Sequence, residues 1–492
     1  MGARPLRSPR VTVIGAGAGG LAASIDLARQ GVAVTILEQA ATPGGKIRVD
    51  TAGIDSGPTV LTMRWIFEAL FHDAGTTLDA CLTLHPAEIL ARHAWSETEH
   101  LDLFADIDRS ADAIAAFAGS AEAAGYRAFC GRAKRVFETL DQPFMQARKP
   151  SMLALTAKAG PARMAGISAF ATLWKALGEH FQDPRLRQLF ARYATYSGSS
   201  PFLAPATLML IAHVEQRGVW LVQGGMSQLA AALAGLATRL GAVQRFNAPV
   251  AEILVRGGRT SGVLLASGER IESDAVICNA DCAALAAGAL GLASRRAVPA
   301  TRPQDRSLSA ITWTLTAPTS GFPLDRHNVF FNRDYAAEFD TLFRGGGVPA
   351  EPTVYVCAQD RGLPGQQSDR RMDRLLVLIN APAGLDPSPM EIDQCATRTF
   401  DRLRRCGLTV DPAAMTVTTP AQFAAMFPAT GGALYGRAVH GATAAFRRPG
   451  SRSAMPGLYL AGGSVHPGPG VPMAVLSGRL AAERVLRDLT SG

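Results

Sequence analysis

Apolar positions along this chain come in short runs broken by Gly and Pro, alternating with stretches of helical period. Val11 to Ile14 is rich in β-branched residues and reads as a buried strand. Leu21 to Gln30 carries good helix formers, with Leu21 and Ile25 one turn apart and Gly31 as a stop. Val32 to Glu38 is a second buried strand, ending in a carboxylate. Residues 60 to 141 read as helical and mixed. Arg192 to Phe202 reads as a polar, turn-rich link, and Ala206 to His213 and Ser227 to Leu240 as helices. Strands are expected at Phe246–Val255, Gly262–Ala266 and Ala275–Asn279, the first two joined through Gly257 and Gly258. Four more, at Ile311–Leu315, Asn328–Phe331, Thr353–Cys357 and Leu375–Ile379, are separated by long loops, which suits a mixed or antiparallel sheet in a second domain. A helix over 391–404 follows. Gly457–Ala461 is a last strand, then a Gly/Pro loop to Gly470 and a helix from Val471 to Leu486.

The join between the first strand and helix carries candidate chemistry. Gly15, Gly17 and Gly20 fit G-x-G-x-x-G, with glycine for the tight turn, the close approach of a pyrophosphate, and helix–strand packing. Free N–H groups at the helix start attract phosphate oxygens. Glu38 follows Gly15 by 38 − 15 = 23 residues, where a ribose-binding acid belongs. An acid rather than a base there favours a ribose without a 2′-phosphate. The competing reading is a Gly-rich turn that binds nothing; the strand–turn–helix context favours a dinucleotide. Gly44-Gly45-Lys46 and Asp55 to Thr59 suggest a second layer of contacts, with Lys46 able to pair with a phosphate. The strand, Gly462–Gly470 loop and last helix could aim further N–H groups at a flavin, the competing reading being a terminal α/β unit with no ligand. His466 in that loop reads as a shape residue as readily as an acid or base.

Length and composition narrow the class. A chain of 492 residues exceeds one usual core, so two domains are expected. The net charge of +8 is mild and its basic residues are scattered, which suits anionic lipid better than nucleic acid. Seven Cys without a C-x-x-C read as reduced, mostly buried thiols, and nine His without a ligand-spaced cluster argue against a metal site. The basic start before an apolar run is like a secretory signal, but the nucleotide strand accounts for that run. Leu6 stands where a myristoylation signal needs Ser or Thr. No apolar run approaches the ~20 residues of a spanning helix. Gln142 to Gly178 lacks Asp and Glu but holds Arg148, Lys149, Lys158, Arg163 and Lys175 among apolar residues. It reads equally as an interfacial helix and as a helical pair with a core face.

Together, Val13 to Leu21 with Glu38, Gly44-Gly45-Lys46, Asp55 to Thr59, Gly218 to Gly225 and Leu458 to Pro472 resemble the flavin-dependent carotenoid desaturases of the bacterial phytoene desaturase type. Tyr193–Gly198, Pro428–Gly436 and Met473–Gly478 look most like the hydroxyneurosporene (1-hydroxycarotenoid 3,4-) desaturase branch. One departure is Lys46, where many relatives carry Arg, a point charge in place of a bidentate fork. The resemblance implies an α/β fold like the amine oxidases and phytoene desaturases. A discontinuous Rossmann-like FAD domain would span 1–75, 218–300 and 453–492. A mixed α+β domain for substrate and membrane would span 76–217 and 301–452. It implies FAD contacts at Gly15, Ala16, Gly17, Ala18, Gly20, Leu21, Glu38, Gln39, Gly44, Gly45, Lys46, Gly57, Pro58, Thr59, Val250, Gly462, Gly463, Val471, Pro472 and Met473, with Val250 holding the adenine through its backbone.

The implied substrate is a 1-hydroxy carotenoid, taken from the membrane surface by a cytoplasmic, peripherally associated enzyme of a photosynthetic bacterium. Oxygen or a quinone fits as electron acceptor, and no nucleic acid is involved. A polyene has no proton beside a carbonyl, so hydride loss to flavin is the expected chemistry, and no catalytic base can be named. The Pro428–Gly436 loop, with Thr430 and Tyr435 as its hydroxyls, is the first place to seek a partner for the substrate's hydroxyl. Two other readings share this fold: an amine oxidase, against which the seven scattered Tyr speak, and a flavin-free binding protein like the Rab GDP-dissociation inhibitors, against which the intact Gly pattern speaks.

Overall fold

The computed structural model describes residues 8–148, 150–168, 170–364 and 372–490. Its nucleotide-side layer is a five-stranded sheet in the order Leu458–Leu460, Ala275–Cys278, Arg10–Ile14, Ala33–Leu37, Val243–Arg245. Every pair in it is parallel. Four of these strands match the expected runs. Val243–Arg245 was missed: it is short, at the sheet edge, with Val243 57% exposed, so no apolar run marks it.

Helix Ala18–Ala28 is buried on all sides. It lies against the sheet and against helices Ser227–Arg239 and Val471–Thr490, so it needs no polar face. Its one acid, Asp26, is paired with Arg29 at 2.8 Å and Arg479 at 3.0 Å. A smaller antiparallel sheet follows, in which Val250–Arg256 and Arg259–Leu265 turn through Gly257 (φ 58°) and Gly258 (φ 76°). Two adjacent positive φ values are what a two-residue hairpin requires, and glycine supplies them without strain.

The second large sheet has seven strands, in the order Met415–Thr418, Ser309–Ala317, Asp373–Ala381, Val354–Ala358, His327–Phe330, Ile89–Ala94, His100–Phe104. All pairs are antiparallel except His327–Phe330 with Ile89–Ala94. The last two strands lie in the stretch read as helical and mixed; Ala91, Arg92 and His93 give it no strand signature. The stretch expected as a polar link is instead a buried 3₁₀ turn over Arg192–Ser197, because its hydroxyls find partners inside. Tyr193 and Tyr196 both donate to the buried Glu215 carboxylate, at 2.8 and 2.7 Å. All seven cysteines are free and all but Cys81 are buried. Among the described residues no helix is long and apolar enough to cross a membrane.

Candidate active site

The Gly-rich turn sits at the carboxyl ends of the parallel strands, where open α/β sheets bind ligands. Gly15 has φ 95°. A β-carbon on Gly20 would lie 2.1 Å from the Gly15 carbonyl oxygen, and one on Gly17 2.8 Å from Asn279 Nδ2. Gly17, at the cap of the buried helix, offers no side chain to its first amides, which leaves them to an anion. Glu38 Oε2 accepts from the Ala16 N–H at 2.7 Å and Oε1 from the Ala40 N–H at 2.9 Å. The carboxylate thereby ties the second strand to the turn and retains lone pairs for a ribose. The Gly44 N–H donates to the Ala16 carbonyl at 2.9 Å, and a β-carbon on Gly45 would come within 3.1 Å of Gly17 Cα. The second Gly motif therefore approaches the first.

These groups border a cavity of ≈ 420 Å³, which Gly15, Gly17, Ala18, Glu38, Gln39, Gly44, Gly45, Lys46, Gly57, Pro58, Val250, Gly462, Gly463 and Val471 line. The glycine cradle, the free helix start and the ribose-height acid fit a flavin dinucleotide. Six expected contacts do not border this cavity, and three of them, Ala16, Gly20 and Leu21, lie behind it. Ala16 spends its N–H on Glu38, Gly20 packs on the turn, and Leu21 is wholly in the core, its N–H donating to Gly17 at 2.9 Å. Lys46 is engaged differently from the expectation of a phosphate partner. Its Nζ donates to the Leu434 carbonyl at 2.6 Å and lies 5.2 Å from the centre of the Phe427 ring. Burial pushes its pKa down, partly offset by Asp281. Asp55 is a clamp: its carboxylate accepts from the Met226 N–H at 2.8 Å, and Gln359 brackets its backbone at 2.9 and 2.8 Å.

A second cavity of ≈ 430 Å³ adjoins the first. Gly57, Pro58, Leu376, Leu378, Tyr435 and Gly470 line both. Thr59, Pro472 and Met473, expected at the flavin, line this second cavity. Its wall is largely apolar, with Leu140, Phe144, Met152, Leu155, Ile211 and Val214 among its residues. Such a cavity takes an apolar ligand and presents one end of it to whatever fills the nucleotide side.

The profile of flavin-containing amine oxidoreductases matches residues 18–486. The chain belongs to that family. Hydroxyneurosporene desaturase of Rubrivivax gelatinosus is 52% identical over 99% of this chain and 95% of its own length. The hydroxyneurosporene desaturase of Cereibacter sphaeroides is 47% identical over 98% of both chains. A putrescine oxidase variant with redesigned cofactor binding shares the fold, with a TM-score of 0.61 at 14% identity over 99% of each chain. The chain is thus a flavin oxidoreductase by family, and its full-length relatives include carotenoid desaturases.

The structure also brings in residues the motifs did not point to. Asn279 stands between the two glycine loops: β-carbons on Gly17, Gly19 and Gly462 would each come within 2.9 Å of its amide. It follows the strand Ala275–Cys278 directly, and the carboxyl end of a parallel strand was the available signal. Arg448, buried, donates to the carbonyls of Gly463 at 3.1 Å, Tyr435 at 3.0 Å and Arg437 at 2.6 Å, fixing the wall between the cavities. Burial pushes its pKa down to about 10. Thr430 does not face either cavity; its hydroxyl donates to Phe427 and accepts from the Gly432 N–H, closing a turn. Tyr435 is at the shared wall. His466 is buried against Phe144, with ring centres 5.1 Å apart, and burial pushes its pKa down to about 4. Neither of its ring nitrogens has a hydrogen-bond partner among the described residues.

Proposed function

We propose that this protein is an FAD-dependent desaturase that introduces the C-3,4 double bond into 1-hydroxy carotenoids. The observation that carries it is the apolar cavity sharing a wall with the nucleotide cavity, so that an insoluble chain can lie with one end beside the flavin. The full-length relatives named hydroxyneurosporene desaturase support the substrate class. Glu38 and the Gly15–Gly20 turn support FAD as the flavin, since they suit an adenosine ribose and a pyrophosphate. On this reading the FAD domain comprises 1–75, 218–300 and 453–492, and the remaining segments hold substrate.

Bound flavin supplies an acceptor for hydride from the allylic carbon. The neighbouring C–H gives up the second hydrogen as a proton, which passes out of the apolar site to bulk water beyond it and leaves the double bond. The chain's own contribution is positional. Gly57, Pro58 and Gly470 keep the shared wall thin, Arg448 holds the Tyr435–Arg437 strip in place, and Leu376 and Leu378 exclude water. Orientation in a dry site lowers the barrier without an acid or base.

The same reading places the protein on a membrane surface. Helices Met152–Ala159 and Pro161–Gly166 set Met152, Leu155 and Met164 on the tunnel while Leu153 and, just beyond them, Phe170 stand 86% exposed. Exposed apolar side chains beside Lys158 and Arg163 suit an anionic bilayer from which the substrate is drawn. Incubation with 1-hydroxyneurosporene, neurosporene and phytoene in liposomes, read by absorption and mass, tests the function. Conversion of the hydroxylated carotenoid with little of phytoene is expected. Comparable turnover of phytoene would make it a general phytoene desaturase.

A further inference from the structure

A polar row crosses the largely apolar wall of the second cavity. Thr59 Oγ1 lies 2.7 Å from the Tyr355 hydroxyl, and that hydroxyl lies 2.7 Å from His327 Nδ1. The imidazole stacks on the Tyr355 ring, with centres 6.1 Å apart and planes at 19°. His327 is 3% exposed and lines the tunnel, yet its Nε2 has no hydrogen-bond partner among the described residues. An orphaned buried ring nitrogen is costly unless something else pairs with it. Of the neighbouring polar groups, Glu215 takes both tyrosine hydroxyls of the Arg192 turn and Thr59 and Tyr355 hold each other, whereas Arg192 Nε is a second unpartnered nitrogen on this wall.

The row is also in the right place. His327 is opposite Cys357, and Cys357 is opposite Leu376, which lines both cavities. Two strand spacings put the His327 backbone roughly 10 Å from the shared wall. Thr59 adjoins Gly57 and Pro58, which line both cavities. A hydroxyl on C-1 is only a few bonds from the C-3,4 bond, so it must be desolvated close to that wall.

We infer that His327 Nε2 pairs with the tertiary hydroxyl of the substrate and is the specificity-determining contact of the tunnel, with Tyr355 and Thr59 as positioning residues. The inference rests on the desaturase reading above. Burial, together with Arg326 and Arg192, keeps the imidazole neutral, with its pKa pushed down to about 3. A neutral ring presents either an N–H or a lone pair at Nε2, and an alcohol pairs with both. A carotene without the hydroxyl leaves Nε2 unpaired, which discriminates by up to about 10⁴-fold in rate. Tyr335 carries another orphaned hydroxyl on this wall, but it follows the opposite end of strand His327–Phe330 and sits among Trp174, Phe202 and Phe339. Tyr435, at the shared wall, also has no hydroxyl partner among the described residues and is the rival the test must separate.

The test compares kcat/KM for 1-hydroxyneurosporene and neurosporene in wild type, His327→Phe, Tyr355→Phe, Tyr335→Phe and Tyr435→Phe, each purified with flavin and checked by its visible spectrum. Wild type should favour the hydroxylated carotenoid. In His327→Phe that preference should fall by at least 100-fold, with neurosporene turnover equal or higher. Tyr355→Phe, which frees the ring, should lose part of the preference. A merely structural role would lower both substrates together and leave their ratio unchanged. A preference intact in flavin-loaded His327→Phe, or one that collapses only in Tyr335→Phe or Tyr435→Phe, overturns the inference. If wild type turns over neither carotenoid, it is the desaturase reading that fails. Should flavin-loaded His327→Phe not be obtained, His327→Gln, which keeps a polar end without the ring geometry, carries the same comparison, with a partial loss expected and an unchanged ratio overturning it.

Discussion

A β-carbon on Gly478 would lie 2.0 Å from the carbonyl oxygen of Gly19. The C-terminal helix Val471–Thr490 therefore crosses the nucleotide helix Ala18–Ala28 backbone to backbone, with Arg479 pairing to Asp26 beside the crossing at 3.0 Å. Gly478→Ala gains about 1 kcal/mol of helix propensity and loses about 1–3 kcal/mol to overpacking. The steric loss should win, because the facing atom is backbone and has no rotamer by which to retreat. A lower urea midpoint and weaker flavin retention are expected. A midpoint above wild type would show that the helices separate freely.

Glu38 should matter to flavin binding in two ways. Its carboxylate holds the Ala16 and Ala40 amides, and on the proposed reading it also takes the ribose. Glu38→Ala strands the buried Ala16 donor at a cost of about 1–3 kcal/mol and removes the ribose partner. Flavin fluorescence titration should give a Kd at least tenfold higher.

Gly17 is required for space and not for backbone freedom, since its φ is −75°. Gly17→Val puts branched atoms against the Asn279 amide and into the place of the pyrophosphate. The variant should fold without flavin. Full flavin occupancy after purification would show that this turn does not bind the dinucleotide.

Acid should destabilise the fold through buried neutral histidines. Burial, then Arg192, pushes the His93 pKa down to about 3, and burial pushes His466 down to about 4. Each is neutral in the fold and charged in the unfolded chain below about pH 6.5. Their stabilisation is complete above that value and is lost as pH falls toward 4 and 3. The slope is up to about 1.4 kcal/mol per pH unit for each. Glu338 has the opposite sign: burial lifts its pKa to about 7, so its contribution fades as pH rises from 4.5 to 7. The difference between a variant and its parent isolates one group. His93→Asn, whose amide can still donate to Leu101, should flatten the urea-midpoint slope between pH 6.5 and 5 by about one proton. An unaltered slope would mean that His93 titrates normally.

Membrane contact should depend on Leu153 and Phe170. Burying a Leu or Phe side chain in lipid is worth about 1.5–3 kcal/mol. Leu153→Ser with Phe170→Ser should lower pelleting with anionic liposomes at least tenfold while flavin content holds. Lys158→Glu with Arg163→Glu should do the same at low salt only. Lys149, a third basic residue of this stretch, lies outside the described residues. Pelleting that no variant changes would assign the contact to another surface.

The sequence by itself determined the nucleotide half of this protein. Strand, glycine turn, helix and ribose acid are contiguous within Val11–Glu38, so local periodicity and turn chemistry specify them before any distant contact forms. Gly15 and Gly20 are demanded by the turn's own backbone, which is why a motif betrays them. The tertiary structure alone decided the rest. Thr59 and Tyr355 are 296 residues apart in sequence, and Asn279 reaches a turn 264 residues away. Nothing local distinguishes His327, at the start of a buried strand, from a packing residue until the sheet sets Tyr355 against one nitrogen and leaves the other bare. The Arg192 turn was misjudged for the same reason: polar residues read as exposed until Glu215 is found beneath them. Pattern records which faces are apolar, whereas a polar group's burial depends on a partner that only the fold brings near.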